Sequence, residues 1–126
     1  VASHKAENLI LWIDNTQELA RRRDATMTTL TRHVCRGNFR KPAAARAFSY
    51  VTDAGAKDMA KKFGERPVEP KARREADREY VKRYLQQLNW CLKDGFCNDL
   101  PDSVVKVLRG KSCRPGGELS GRRRKR

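Results

Sequence analysis

The chain has 126 residues and a mass of 14.5 kDa, with 29 Lys and Arg against 15 Asp and Glu, a formal net charge of +14. That length suits one compact domain, and 38% apolar residues supply a modest core. The composition excludes collagen, a coiled-coil rod and a fully disordered chain, and the longest apolar run, Leu9 to Ile13, falls far short of the roughly 20 residues of a membrane span.

Residues 1–20 lack the long apolar stretch of a secretory signal, so the chain is expected to be intracellular. Leu9 to Ile13 is assigned to a helix, because no second strand candidate exists to pair with it. Asn15 followed by Glu18 has the spacing of a capping box. Leu19, Met27, Leu30 and Val34 then recur at helical spacing, predicting a helix over Thr16–Arg36 that stops at Gly37. Pro42 suits the first turn of a second long helix, where its missing N–H costs nothing. That helix runs to Phe63, with Phe48, Val51, Gly55, Met59 and Phe63 on one side. A glycine inside the stripe costs about 1 kcal/mol in helix propensity. Gly55 therefore predicts a close crossing by another helix.

Glu65 to Pro70 form a linker, since Pro67 and Pro70 block helix continuation. A third long helix follows over Lys71–Lys93, with Ala76, Tyr80, Val81, Tyr84, Leu85, Leu88, Cys91 and Leu92 inside half of its wheel. Gly95 ends it. A short helix over Pro101–Leu108 has Asp99 as candidate cap and Gly110 as terminator. From Lys111 onward no apolar period survives. The fold expected is all-α: a small bundle of three long and one or two short helices over residues 1–110, then a disordered basic tail over 111–126.

The positive charge is uneven. Residues 106–126 hold nine basic side chains against Glu118 alone. Arg122, Arg123, Arg124, Lys125 and Arg126 form an unbroken cationic run, and Gly116, Gly117 and Gly121 loosen its approach. On the first long helix Arg21, Arg32 and Arg36 project within about 60° of one another, with Thr28 between them. On the second, Arg46, Tyr50, Lys57 and Lys61 share the outward face, interrupted by Asp53. One charged outer face is ordinary for a solvated helix. Two such faces and a cationic run favour a phosphate polymer, with Tyr50 placed to stack on an unpaired base. Trp90, beside Arg83 and Gln87 at the edge of the apolar half, suits either packing beneath a neighbour or stacking. Trp12, among Leu and Ile, suits the core.

Chemistry-bearing constellations are absent from the pattern. His33 and Cys35 project about 160° apart on a helix, and the four cysteines show neither paired zinc spacing nor a dense disulfide framework. Cys91 reads as a buried small hydrophobe; Cys97 and Cys113 read as exposed thiols or a disulfide. Gly110-Lys111-Ser112 lacks the upstream glycine of a phosphate loop, Val105 standing there instead. Asp53 and Asp58 project about 140° apart, and neither His4 nor His33 has a nucleophile and orienting acid at readable spacing. No catalytic residue, metal or cofactor is expected.

The stretches LILWIDNTQEL, ARAFSYVTDAGAKDMAKKFG and LNWCLKDGFCNDLP, in that order and followed by a basic tail, resemble small helical proteins of bacteriophages and viral metagenomes over about residues 8–105. Ala20 and the triple Arg21-Arg22-Arg23 depart from that pattern toward a more cationic body. The resemblance implies a compact helical fold and a viral origin, and carries no activity or binding residue with it. The expected function is non-enzymatic binding of RNA or DNA, as in a ribonucleoprotein or ribosome-associated component. The alternative is a protein–protein module, such as a viral factor that captures an acidic host protein.

Overall fold

The computed structural model describes residues 2–115. Five helices follow one another: α1 His4–Asp14, α2 Gln17–Cys35, α3 Lys41–Phe63, α4 Pro70–Asp94 and α5 Asp102–Leu108. The bundle expected from the sequence is present, with three long helices and two short ones. The basic run Arg122–Arg126 lies outside the described residues.

The helix ends follow local chemistry, though not always as the sequence suggested. Ser3 caps α1 by accepting a hydrogen bond from the Ala6 amide at 3.2 Å. The capping box expected at Asn15 and Glu18 is not formed. Asn15 closes α1, and Thr16, which opens α2, turns its hydroxyl back to donate to the Trp12 carbonyl at 2.6 Å. With only two residues between the helices, these polar side chains serve the helix behind them. Asp99 likewise does not cap α5, whose first turn follows Pro101 without a side-chain cap. Gly64 and Gly95 end α3 and α4 with φ of 64° and 76°, the left-handed conformation that a Cβ disfavours.

The core sits where α1, α3 and α4 meet. Phe48 of α3 stacks on Tyr80 of α4 with centroids 5.2 Å apart, and Tyr84 meets Phe48 edge-on at 6.4 Å. The two tyrosine hydroxyls enter with partners. Tyr80 donates to Asp14 Oδ1 at 2.9 Å, and Tyr84 shares a 2.7 Å hydrogen bond with Thr31 of α2. Burial pushes both phenols above their ordinary range. From the predicted stripe of α3, Phe48, Val51 and Gly55 are buried, whereas Phe63 is 60% exposed and packs edge-on against Trp12. Trp12 is half-buried, not fully in the core, and its indole N–H donates to Asp58 Oδ2 at 2.9 Å.

Gly55 marks the close crossing that its sequence position predicted. A Cβ built there would stand 2.5 Å from Ile13 Cγ1 and 2.8 Å from Ile13 Cδ1, and Ile13 is fully buried. Gly55→Ala gains about 1 kcal/mol of helix propensity and is nonetheless expected to destabilise the fold by roughly 1–3 kcal/mol through overpacking. A urea midpoint at or above wild type would refute the crossing.

Asp77 is the buried carboxyl of the core. It accepts from the Thr52 hydroxyl at 2.5 Å, yet burial pushes its pKa up. The folded state therefore holds this proton more tightly than the unfolded chain does. Its stabilising contribution is complete below the ordinary carboxylate range and is lost as pH rises through the raised folded value. Asp77→Asn is expected to gain stability on wild type as pH rises from about 4 toward 7, and to match it near pH 3. Urea midpoints across that range check the sign.

Both disulfides of the structure correct the cysteine reading. Cys35 pairs with Cys113, 78 residues away, and Cys91 pairs with Cys97 across the turn that ends α4. Cys91 is therefore a bonded half-cystine, and Cys97 and Cys113 are bonded, but not to each other. The Arg114 amide also donates to the Cys35 carbonyl at 2.7 Å. Residues 111–115, expected to begin the loose tail, thus include the staple that fastens the end of the described chain to α2.

Candidate nucleic-acid interface

Each expected phosphate contact on α2 and α3 stands at the surface. Arg21, Arg32, Arg36, Arg46, Lys57 and Lys61 are exposed, and Tyr50 is 73% exposed. Lys57 pairs with Asp53 one turn earlier at 3.2 Å, so the acidic interruption of that face neutralises its nearest cation. Among the described residues the other five cations enter no ion pair. Trp90 is 44% exposed and lines a shallow depression with Phe96, Asp94 and Asp99, where acids rather than cations surround it. That surface repels phosphate.

The α2 face is less continuous than the helical wheel suggested. Thr28, expected among its arginines, is buried and shares a 2.7 Å hydrogen bond with Ser103 of α5. The short helix docks on this side of α2, and the Cys35–Cys113 bond holds the segment after it there. Arg21, Arg32 and Arg36 consequently flank a covered strip instead of forming one open row.

A longer cationic row, missed from the sequence, lies on α4. Lys71, Arg74, Arg78 and Lys82 project within about 80° of one another on the helix. All four are exposed and unpaired among the described residues. Glu75 on the same side is engaged by the Ser3 amide at 3.1 Å. Arg74, Arg78 and Lys82 repeat at i, i+4 and i+8. Each like-charge pair at that spacing costs a helix about 0.2–0.5 kcal/mol, a repulsion that a polyanion laid along the row would relieve. The repeat is visible in the sequence, opposite the apolar half of the same helix, but the stronger apolar signal obscured it.

The six-residue connection from Gly64 to Glu69 makes α3 and α4 antiparallel neighbours. Between them runs a groove of about 560 Å³. Lys41 of α3 faces Arg78 and Lys82 of α4 across it, over a floor of Ala45, Val81 and Leu85, and no carboxylate lines it. Arg40 gives α3 no side-chain cap and its first turn holds no acid, so the positive end of that helix adds to Lys41 at the groove's edge. Arg46, beside Ala45 in the chain, is exposed but does not line this groove, and Tyr50 and Lys61 of the predicted α3 face turn further from it.

A second depression, of about 290 Å³, is polar, and both of its arginines are held in ion pairs. Arg23 there binds Asp14 at 2.6 Å and Asp24 at 2.9 Å, and Arg83 binds Glu7 and Glu79 at 2.9 Å. These arginines are spent on structure. No cluster of His, Cys, Asp and Glu among the described residues has the arrangement of a metal site, and no described helix is long and apolar enough to cross a membrane. Protein-family models, curated proteins and solved structures yield no match to this chain.

Proposed function

We propose that this protein binds nucleic acid without performing chemistry on it, holding backbone phosphates on the cationic surface shared by α3 and α4. The observation that carries this reading is the row Lys71, Arg74, Arg78 and Lys82 with Lys41 across the groove, all without ion pairs among the described residues. Arg46, Tyr50 and Lys61 supply a separate exposed face of α3, outside the groove. Arg21, Arg32 and Arg36 supply a subsidiary patch on α2, and Arg122–Arg126 add a sequence-encoded cationic arm. Phosphate neutralisation releases counterions and needs no particular base sequence, so the expected partner is RNA or DNA with broad sequence tolerance, in the manner of a ribonucleoprotein or virion component.

All four cysteines are disulfide-bonded. Such bonds persist in oxidising compartments and virions and are rare where glutathione keeps thiols reduced. That favours an oxidising setting, whereas the sequence alone leads to an intracellular protein without naming its compartment.

Fluorescence anisotropy with labelled oligonucleotides, under non-reducing conditions and at graded salt, tests the proposal. Binding at 50 mM salt with a linear fall of log K against log salt is the expected result. No binding at about that salt, together with a protein partner that survives nuclease treatment in a pull-down, would overturn it in favour of an acidic protein as the ligand.

A further inference from the structure

We infer that the exposed aromatic surface at the end of α4 is the dock of the chain's own cationic run, Arg122–Arg126. The inference concerns the free protein and does not depend on the phosphate-binding role proposed above. Trp90 and Phe96 are 44% and 68% exposed, and they line one depression with Asp94, Asn98 and Asp99. Single exposed rings are ordinary, but two that share a depression make the kind of apolar patch that marks an interaction site. Trp90 directly precedes Cys91, and Phe96 directly precedes Cys97. The Cys91–Cys97 bond therefore fixes the backbone beneath both rings before a ligand arrives, which lowers the ordering cost of binding.

The chemistry of this patch selects a cation. The faces of Trp and Phe rings attract guanidinium and ammonium groups. Asp94 and Asp99 add two carboxylates, and neither enters an ion pair among the described residues. Asp94 is also the last residue of α4, where the negative end of a helix disfavours an acid and a neighbouring cation relieves the cost. Lys93, one residue earlier, does not line the depression. An anionic ligand is repelled here, and a purely apolar one leaves both carboxylates unmatched. Arg122–Arg126 is the densest cationic run of the sequence, and it is within reach. The α2 and α4 helices both run antiparallel to α3 and so end at the same end of the bundle, and Cys113 is bonded to Cys35, the last residue of α2. Between Asp99 and that anchor lie two short connections and α5, whose seven residues advance about 10 Å. The nine positions from Cys113 to Arg122 span up to about 30 Å when extended. Seated on the patch, the five cations are withheld from any phosphate ligand until it competes for them.

Acrylamide quenching of tryptophan fluorescence, on the full oxidised chain at about 0.15 M salt, reads whether Trp90 is covered. Changing the run to glutamine (Arg122→Gln, Arg123→Gln, Arg124→Gln, Lys125→Gln and Arg126→Gln) is expected to raise the Stern–Volmer constant about twofold, the population shift that one exposed cation–π contact supplies. Asp94→Asn with Asp99→Asn is expected to raise it as much, and the two sets combined no further, because both break one contact. In a Trp90→Phe chain, where Trp12 alone reports, the glutamine set is expected to change nothing. A constant unmoved by either set, or effects that add in the combined chain, would overturn the inference. Protection of Trp90 that fades on dilution, with a doubled mass in light scattering, would assign the patch to the cationic run of a second copy and also overturn it. No nucleic acid is present in these measurements, so their outcome is separate from the oligonucleotide binding that tests the phosphate role.

Discussion

Replacing Cys35 and Cys113 together by serine is expected to be the most damaging change to stability, lowering the unfolding free energy by roughly 3–4.5 kcal/mol. The bond closes a segment with a sequence separation of 78. On the chain-entropy account its loss returns to the unfolded state the freedom of a loop that long, about 4.5 kcal/mol, less whatever structure the unfolded chain retains. Cys91→Ser with Cys97→Ser opens a separation of only 6, for which the same account gives about 2 kcal/mol. The ordering is the sharper test. Local structure reinforces it, because α5 has seven residues and its one fully buried side chain is Val104. A helix so short has little stability of its own. Its other ties to α2 include the Thr28–Ser103 hydrogen bond and a contact from Cys35 Sγ to the Val107 carbonyl at 3.7 Å. Non-reducing urea titration of the two double variants should show the larger loss for the Cys35–Cys113 pair. Equal losses would mean that α5 and the following turn hold their place without the staple.

The same bond shows what the sequence could and could not disclose. Helix positions were legible because apolar periodicity and proline or glycine punctuation act over a few residues. Gly55 was legible for a related reason: a residue that weakens a helix yet sits in its apolar stripe must be compensated by close packing, and Ile13 supplies it. Caps were misjudged at Asn15 because two helices share a two-residue connection, and a polar side chain there can serve either one. The Cys35–Cys113 pairing depends on where α5 lands, and nothing local in either helix fixes that. Thr28 was misplaced on the surface for the same cause. A helical wheel separates apolar from polar positions but cannot show that a later helix covers part of the polar side. The α4 row was accessible to spacing alone, whereas the groove required the antiparallel packing that brings Lys41 opposite Arg78 and Lys82.

Neutralising Arg74, Arg78 and Lys82 together as glutamines is expected to separate binding from folding. Removal of two like-charge i, i+4 pairs should leave the fold as stable as wild type or more stable by up to about 1 kcal/mol. Binding should move the other way. Each phosphate contact contributes about 0.7 to the slope of log K against log salt for a single strand and about 0.9 for duplex DNA. Loss of three contacts therefore lowers the slope by about 2 or 2.7, with affinity falling roughly 10- to 100-fold at low salt. The matching variant of Arg21, Arg32 and Arg36 removes the same formal charge from α2, where α5 covers the strip between those side chains. If net charge alone governed association, both triple variants would lose equal affinity and equal slope. If the α3–α4 surface is the seat of binding, the α4 variant loses more of both. A larger effect from the α2 variant would move the interface to the other helix, and the groove beside Lys41 would lose its claim to the ligand.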